Sequence, residues 1–130
     1  MLILHSIVVL AKNPEDPWKA SATLVCKQIT DALDFYKKGD IKQAQTQAIM
    51  AYFKGYDAEI EPAVRITQGG KHVFEVEHQF RDFKNAMTPN PDAKKLTEVT
   101  TRATKLCQTM FEDAESLKLA KVKKEVFKVN

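Results

Sequence analysis

The stretch DPWKASATLVCKQITDALDFYKKGD, Asp16 to Asp40, is the clearest indication of the fold. Asp16 can cap free backbone N–H groups, and Pro17 at the first helical position has no N–H to leave unbonded. Apolar residues then recur at the spacing of an amphipathic helix, at Trp18, Ala22, Val25, Ile29, Ala32 and Tyr36. Gly39 is placed to end this helix and Asp40 to cap the next. We therefore expect a helix from about Pro17 to Lys38.

Three further helices are predicted from the same kinds of signal. The second covers about residues 41–67 and the third about residues 71–87, with the helix-breaking pair Gly69-Gly70 between them. Asn90-Pro91 is a second cap-plus-proline start, and it precedes a stripe of Leu96, Val99, Ala103, Leu106, Met110, Ala114 and Leu117. No segment alternates with the period of a strand. The sequence predicts an all-α fold, an up-down-up-down four-helix bundle over residues 12–117 with a long, kinked second helix.

The second helix carries two apolar stripes, which is typical of an inner helix that contacts two neighbours. One stripe contains Ile41, Ala44, Ala48, Tyr52 and Gly55, and the other contains Ile49, Phe53, Tyr56, Ile60 and Ala63. Pro62 cannot bond to the carbonyl of Ala58 and should kink the helix there. Glu59 lies on the first stripe, so the freed carbonyl and this carboxylate form a place for a cation. The alternative is that Glu59 is a rim residue that reaches solvent.

The two ends of the chain have their own compositions. Residues 1–11, MLILHSIVVLA, form an apolar run too short to span a bilayer, and we interpret them as an export signal or a packed N-terminal segment. Residues 118–130 contain five lysines and one glutamate, a local charge of +4 within a total of +3. This basic C-terminal tail is interpreted as a solvated terminus or a juxtamembrane segment. Because the charge is confined to a tail, we expect no nucleic-acid binding.

Histidines and carboxylates on the third helix suggest two kinds of site. His72-x-x-Glu75-x-x-His78 contains the Glu-x-x-His spacing of di-iron bundles, but no second copy exists elsewhere in the chain. A surface metal site therefore competes with the simpler interpretation of exposed polar residues. His78 is also placed like the histidine of a phosphotransfer module, although Asp82 stands where such modules usually have glycine.

Two cysteines, Cys26 and Cys107, lie at similar heights on the first and fourth predicted helices. In an up-down bundle these helices are antiparallel neighbours. In an oxidising compartment the two thiols could form a disulfide. Two buried free thiols are the alternative.

Soft motifs over about residues 25–120 resemble a known family. Tyr36-Lys-Lys-Gly39-Asp40 leads to Ala51-Tyr-Phe53, and then come Glu61-Pro-Ala-Val-Arg65 and Val76-Glu-His-Gln-Phe80. In this order they resemble the extracytoplasmic (periplasmic) helical domain of bacterial Ftr-type high-affinity iron permeases. Glu61 and Glu77 match the recurrent acids of that family. The transporting Arg-Glu-x-x-Glu motif is absent from this chain, so the resemblance implies an accessory role beside a membrane iron permease.

We therefore expect a non-enzymatic, extracytoplasmic domain that presents iron or docks to the permease. The candidate metal ligands are Glu59, Glu61, Glu75, Glu77 and His78. Carboxylate oxygens suit ferric iron, while imidazole leaves copper or zinc open. The rival hypotheses are a metal-free helical adaptor and a phosphotransfer module that uses His78.

Overall fold

The structure is a computed structural model and describes residues 16–127 of the chain. These residues form helices and no strand, so the predicted all-α class is confirmed. The expectations for residues 1–11 lie outside the described residues. The elements are α1 (Pro17–Lys37), α2 (Ile41–Met50), a π-helical segment (Ala51–Tyr56), α3 (Asp57–Glu59), α4 (Glu61–Gln68), α5 (Gly70–Asn85), α6 (Ala93–Leu119) and a 3₁₀-helix (Lys124–Phe127).

Most helix ends follow the local signals in the sequence. The Asp16 side chain accepts hydrogen bonds from the backbone N–H groups of Trp18 and Lys19, which confirms the predicted start of α1. Gly39 adopts a left-handed φ of 84° after α1. The predicted Asn90-Pro91 start of the last helix is wrong, because Asp92 is the cap and accepts from Lys95 N at 2.7 Å.

The predicted long second helix is instead a series of segments. A π-helical turn occupies residues 51–56, and the backbone leaves helical geometry at Ile60, with φ −126° and ψ −42°. Pro62 therefore lies in the first turn of α4, where it costs no hydrogen bond, rather than inside a continuous helix. The break comes before the proline because its ring would collide with the carbonyl of Ala58 if the helix continued.

A single apolar core holds these segments together. Helix α1 packs against α2, the π segment and α6, while α5 packs against α2, α4 and α6. The largest fully buried side chains include Trp18, Tyr36, Tyr56, Phe83, Ile29, Ile60, Leu106 and Leu117. No helix among residues 16–127 combines the length and the hydropathy needed to cross a bilayer.

A disulfide joins α1 to α6 through Cys26 and Cys107, whose Cα atoms are 5.0 Å apart. Of the two alternatives that the sequence left open for these cysteines, the structure has the cross-link. The bond fastens together the two longest helices of the fold.

The basic C-terminal segment packs on the fold as far as residue 127. Trp18 Nε1 donates to the carbonyl of Val122 at 2.8 Å, and Phe127 packs edge-on against the Trp18 ring. Helix α6 also continues to Leu119, past the expected boundary at residue 117. Within residues 122–127, Val122, Lys124 and Phe127 contact the start of α1 or Glu59, whereas Lys123, Glu125 and Val126 are exposed.

Candidate functional site

The main candidate site is a groove between the α2–π wall and α5. Its lining residues are Ala48, Ile49, Tyr52, Phe53, Glu77, Phe80, Arg81 and Lys84, and its volume is about 260 Å³. Phe53 is 58% exposed and Ile49 is 40% exposed, so two large apolar side chains of one wall face solvent. Arg81 and Lys84 add positive charge to the opposite wall.

The π-helical turn explains why these two side chains are exposed. Sequence periodicity predicted that Ile49 and Phe53 belong to a buried stripe, and this was wrong. Asp57 N–H bonds to the carbonyl of Tyr52, five residues back, so the segment turns more slowly than an α-helix. Tyr56 and Ile60 are consequently buried. Phe53, about one turn before Tyr56, and Ile49, about two turns before it, are exposed.

Tyr52 connects the two acids that the family resemblance singled out. Its hydroxyl donates to Glu77 Oε2 at 2.8 Å and lies 3.3 Å from Glu61 Oε1. Arg65 Nη2 holds the other oxygen of Glu61 at 2.9 Å. Burial, followed by the hydrogen bond to Glu77, raises the pKa of Tyr52, so this group is a neutral donor over the physiological range.

Aromatic packing behind Tyr52 fixes the floor of the groove. The Phe80 ring lies 5.5 Å from Tyr52 and 5.7 Å from Tyr56, measured between ring centroids. Tyr56 is fully buried, and burial raises the pKa of its hydroxyl, which has no hydrogen-bond partner among the described residues. Tyr52 is thus held both by ring packing and by its two carboxylate partners.

Glu59 lies apart from this set, on the opposite side of the break at Ile60. Its Oε1 accepts from Ser21 at 3.3 Å and from Lys124 at 3.1 Å. Lys124 Nζ also reaches the Glu59 carbonyl at 3.4 Å and lies over the Trp18 ring. The ammonium group of Lys124 thus lies beside both the carboxylate and the carbonyl of Glu59, at the place where the sequence suggested that a cation could bind.

Glu75 and His78 do not join Glu61 and Glu77 either. Glu75 is exposed, and His78 packs edge-on against Phe74 with Arg81 Nη1 at 3.5 Å from its Nδ1. Among residues 16–127, no three His, Cys, Asp or Glu side chains form a group that could hold a metal ion. Of the five predicted ligands, Glu61 and Glu77 meet at the Tyr52 hydroxyl, which is a third oxygen donor, and Glu75 and His78 line a separate surface pocket with Lys71 and Asp82.

A buried polar contact between α5 and α6 was missed in the sequence. His72 Nε2 lies 2.8 Å from Asp113 Oδ1, which also accepts from Gln68 at 3.3 Å. Asp113 is buried, and burial raises the pKa of its carboxyl despite the opposing effect of His72. The available signal was its position three residues after Met110, on the apolar stripe of α6.

No protein-family model, curated protein or solved structure matches the chain. The resemblance to the Ftr-type permease domain consequently remains a sequence-based hypothesis. The groove and the contacts of Tyr52 provide the structural basis for a functional proposal.

Proposed function

We propose that the chain is an extracytoplasmic accessory domain that docks, through the groove, to a membrane protein of an iron-uptake system. The observation that carries this proposal is the exposure of Ile49 and Phe53 side by side on a wall whose floor is packed. Binding energy at protein interfaces is concentrated in a few well-packed residues, and large aromatic side chains are prominent among them. The identity of the partner, an iron permease, rests on the sequence resemblance.

Two features support the docking role. The rings of Tyr52 and Phe80 hold the floor of the groove in place, so little side-chain entropy is lost when a partner binds. The Cys26–Cys107 disulfide supports an oxidising, extracytoplasmic location, because such bonds are rare in reducing compartments. An up-down-up-down order of the main helices is the arrangement that we propose for this scaffold.

Photo-crosslinking in the native membrane tests the docking role. A photoreactive side chain at position 53 should form an adduct with a multi-span membrane protein that contains Arg-Glu-x-x-Glu, as identified by mass spectrometry. The matched control is position 74, because Phe74 is 54% exposed but lies outside the groove. Equal adducts from both positions, or adducts only between copies of this chain, contradict the proposal.

A second candidate function, iron presentation, is favoured by the meeting of Glu61 and Glu77 at the Tyr52 hydroxyl. One phenol and two carboxylates are hard oxygen donors of the type that ferric iron prefers. For iron to bind, Arg65 must release Glu61 and Tyr52 must lose its proton, which its raised pKa opposes. These requirements make iron presentation the weaker of the two candidates.

Ferric titration distinguishes iron presentation from docking, because a tyrosinate bound to ferric iron gives a visible charge-transfer band. If the candidate is right, the band appears in the wild type, is absent in Tyr52→Phe and weakens in Glu61→Gln and Glu77→Gln. Glu59→Gln and Glu75→Gln are the matched controls and should leave it unchanged. Calorimetric titration with copper and zinc measures whether the same variants bind these softer ions. Failure to observe any band rules out iron at Tyr52 and leaves the docking proposal standing.

The hypothesis that His78 acts in phosphotransfer can be tested directly. His78 is half-buried against Phe74 and near Arg81, and Asp82 follows it by one turn. Phosphate incorporation that disappears in His78→Gln would support this role over docking. Incorporation that persists in this variant excludes His78 as the phosphorylated group.

A further inference from the structure

The end of the molecule where α4, the end of α6 and the C-terminal segment lie carries unusually exposed aliphatic side chains. Ile66 is 73% exposed, and Leu119 and Val126 are each 72% exposed. Helix α4, which carries Ile66, contacts both α6 and the 3₁₀-helix, which carries Val126. These three side chains make no contribution to the lining of the groove. We call this region, defined by Ile66 and residues 118–126, the C-terminal end.

Lysines alternate with the aliphatic residues at the C-terminal end. Lys118, Lys121 and Lys123 are exposed, whereas Lys124 is directed inward to Glu59. The acidic groups beside these lysines are Asp16, which lies 3.8 Å from Lys118, Glu115, which lines a pocket with Lys118, and the exposed Glu125. Lys121 and Lys123 have no ion-pair partner among the described residues. The surface is therefore both basic and apolar.

The fold holds this segment in place before any partner binds. The Trp18 indole bonds to the Val122 carbonyl at 2.8 Å, between Lys121 and Lys123. Lys124 is fastened to Glu59 at 3.1 Å, just before Val126. Because these two anchors fix the backbone on either side of Lys123, ordering of the segment adds little to the entropy cost of binding.

We propose that the C-terminal end binds the surface of an anionic phospholipid bilayer. Exposed lysines are attracted to anionic headgroups, and the interleaved Leu119 and Val126 can enter the interface between headgroups and acyl chains. This property is independent of the groove and goes beyond the proposed docking function.

A lipid surface explains the residue types better than a nucleic acid does. Single-stranded nucleic acids are bound largely by exposed aromatic rings on which bases stack. Trp18 and Phe127, which adjoin this end, pack against each other and Trp18 is buried, so Phe111, 37% exposed beside Lys118, is a single aromatic ring rather than a stacking platform. Exposed aliphatic side chains gain nothing from a phosphate backbone, but they gain from partial burial in acyl chains.

Vesicle flotation with the full, oxidised chain tests the proposal. The chain should float with vesicles of equimolar phosphatidylcholine and phosphatidylglycerol, but not with vesicles of phosphatidylcholine alone. The variant Lys121→Gln/Lys123→Gln should reduce the partition coefficient about fivefold per lysine, or about 25-fold in total. The variant Leu119→Ser/Val126→Ser should reduce it roughly tenfold. Neither pair alters a buried side chain.

Control variants separate this site from general charge effects and from the groove. Lys37→Gln/Lys42→Gln removes the same charge at the other end of α1 and should leave partitioning nearly unchanged. Phe53→Ser alters the groove and should also float normally, so a failed docking experiment does not affect this test. No flotation with anionic vesicles, or equal losses from both lysine pairs, overturns the proposal. It is also overturned if duplex DNA binds as tightly as the vesicles and Leu119→Ser/Val126→Ser has no effect.

Discussion

Removal of the Cys26–Cys107 disulfide should cause a large loss of stability. The two cysteines are 81 residues apart, so the bond closes a loop that contains most of the chain. In the chain-entropy description, closing a loop of this length restricts the unfolded state by about 4.5 kcal/mol at 25 °C. The variant Cys26→Ala/Cys107→Ala should therefore lose up to about 4.5 kcal/mol in the free energy of unfolding. The native helices should be retained, because their core packing does not depend on the sulfur atoms.

Urea unfolding followed by circular dichroism measures this loss. With an m-value of about 1.5 kcal/mol/M, the unfolding midpoint should fall by about 3 M. The m-value of the variant should rise slightly, because an unfolded chain without the cross-link is more expanded and exposes more surface. The far-ultraviolet spectrum before unfolding should match that of the oxidised wild type.

Reduction of the wild type is the matched control for the double variant. A reducing agent should shift the wild type to the midpoint of Cys26→Ala/Cys107→Ala and leave the variant unchanged. A loss below about 1 kcal/mol would refute the reasoning, because it would mean that the unfolded chain is already restricted without the bond.

Three further substitutions test individual contacts. Gly55→Ala should destabilise the fold by about 1–2 kcal/mol in urea unfolding, because the new Cβ would overlap with Gln28 Oε1 and lie 3.2 Å from Val25 Cγ2, although alanine is the better helix former. Lys124→Ala should cost about 1 kcal/mol in the same assay and loosen the C-terminal segment, measured as faster hydrogen exchange at residues 122–127. Asp113→Asn should gain stability relative to wild type as pH rises from about 4. Burial raises the pKa of Asp113 in the folded state above its value in the unfolded state. The contribution of this group to the stability of the wild type is therefore largest at pH values below the unfolded-state pKa, where Asp113 is protonated in both states. The wild type loses this contribution as pH rises through the folded-state pKa, whereas Asp113→Asn does not titrate.

Local signals in the sequence were sufficient to predict helix boundaries that are marked by a capping residue or a glycine. Asp16 and Asp40 accept the backbone hydrogen bonds that their positions predicted. Gly69 has a φ of 90° and separates α4 from α5, as the glycine pair indicated. These features depend on a few adjacent residues, so the sequence contains the information directly. The cap of α6 is Asp92 rather than the predicted Asn90. Both residue types can cap a helix, so the local sequence did not distinguish between them.

The irregular stretch at residues 51–60 was not predictable in the same way. A π-helical turn has no composition of its own, and it changes which side chains face the core. The periodicity assumed for an α-helix placed Phe53 with Tyr56 on one buried stripe, whereas only Tyr56 is buried. The groove, which depends on the exposure of Phe53 and Ile49, was therefore invisible in the sequence.

Contacts across the fold were the second limit on prediction from the sequence. The pairing of Tyr52 with Glu77 joins residues 25 positions apart, and that of Lys124 with Glu59 joins residues 65 positions apart. The sequence suggested a place for a cation at Glu59 and the carbonyl of Ala58, and the structure has the ammonium group of Lys124 at Glu59. The residues around Glu59 thus indicated that a positive charge would be favourable there, but not that Lys124 would supply it.

The break at Ile60 relates the two proposed surfaces to each other. Glu59 and Glu61 flank it and form contacts on different sides of the fold, Glu59 with Lys124 and Glu61 with Tyr52. The carboxylate that anchors the C-terminal end and the carboxylate that contacts Tyr52 are therefore two residues apart in the chain, and the break at Ile60 lets each reach its own partner. If both proposals hold, the domain would use the C-terminal end for lipid and the groove for a protein partner, and the flotation and crosslinking experiments test these two contacts separately.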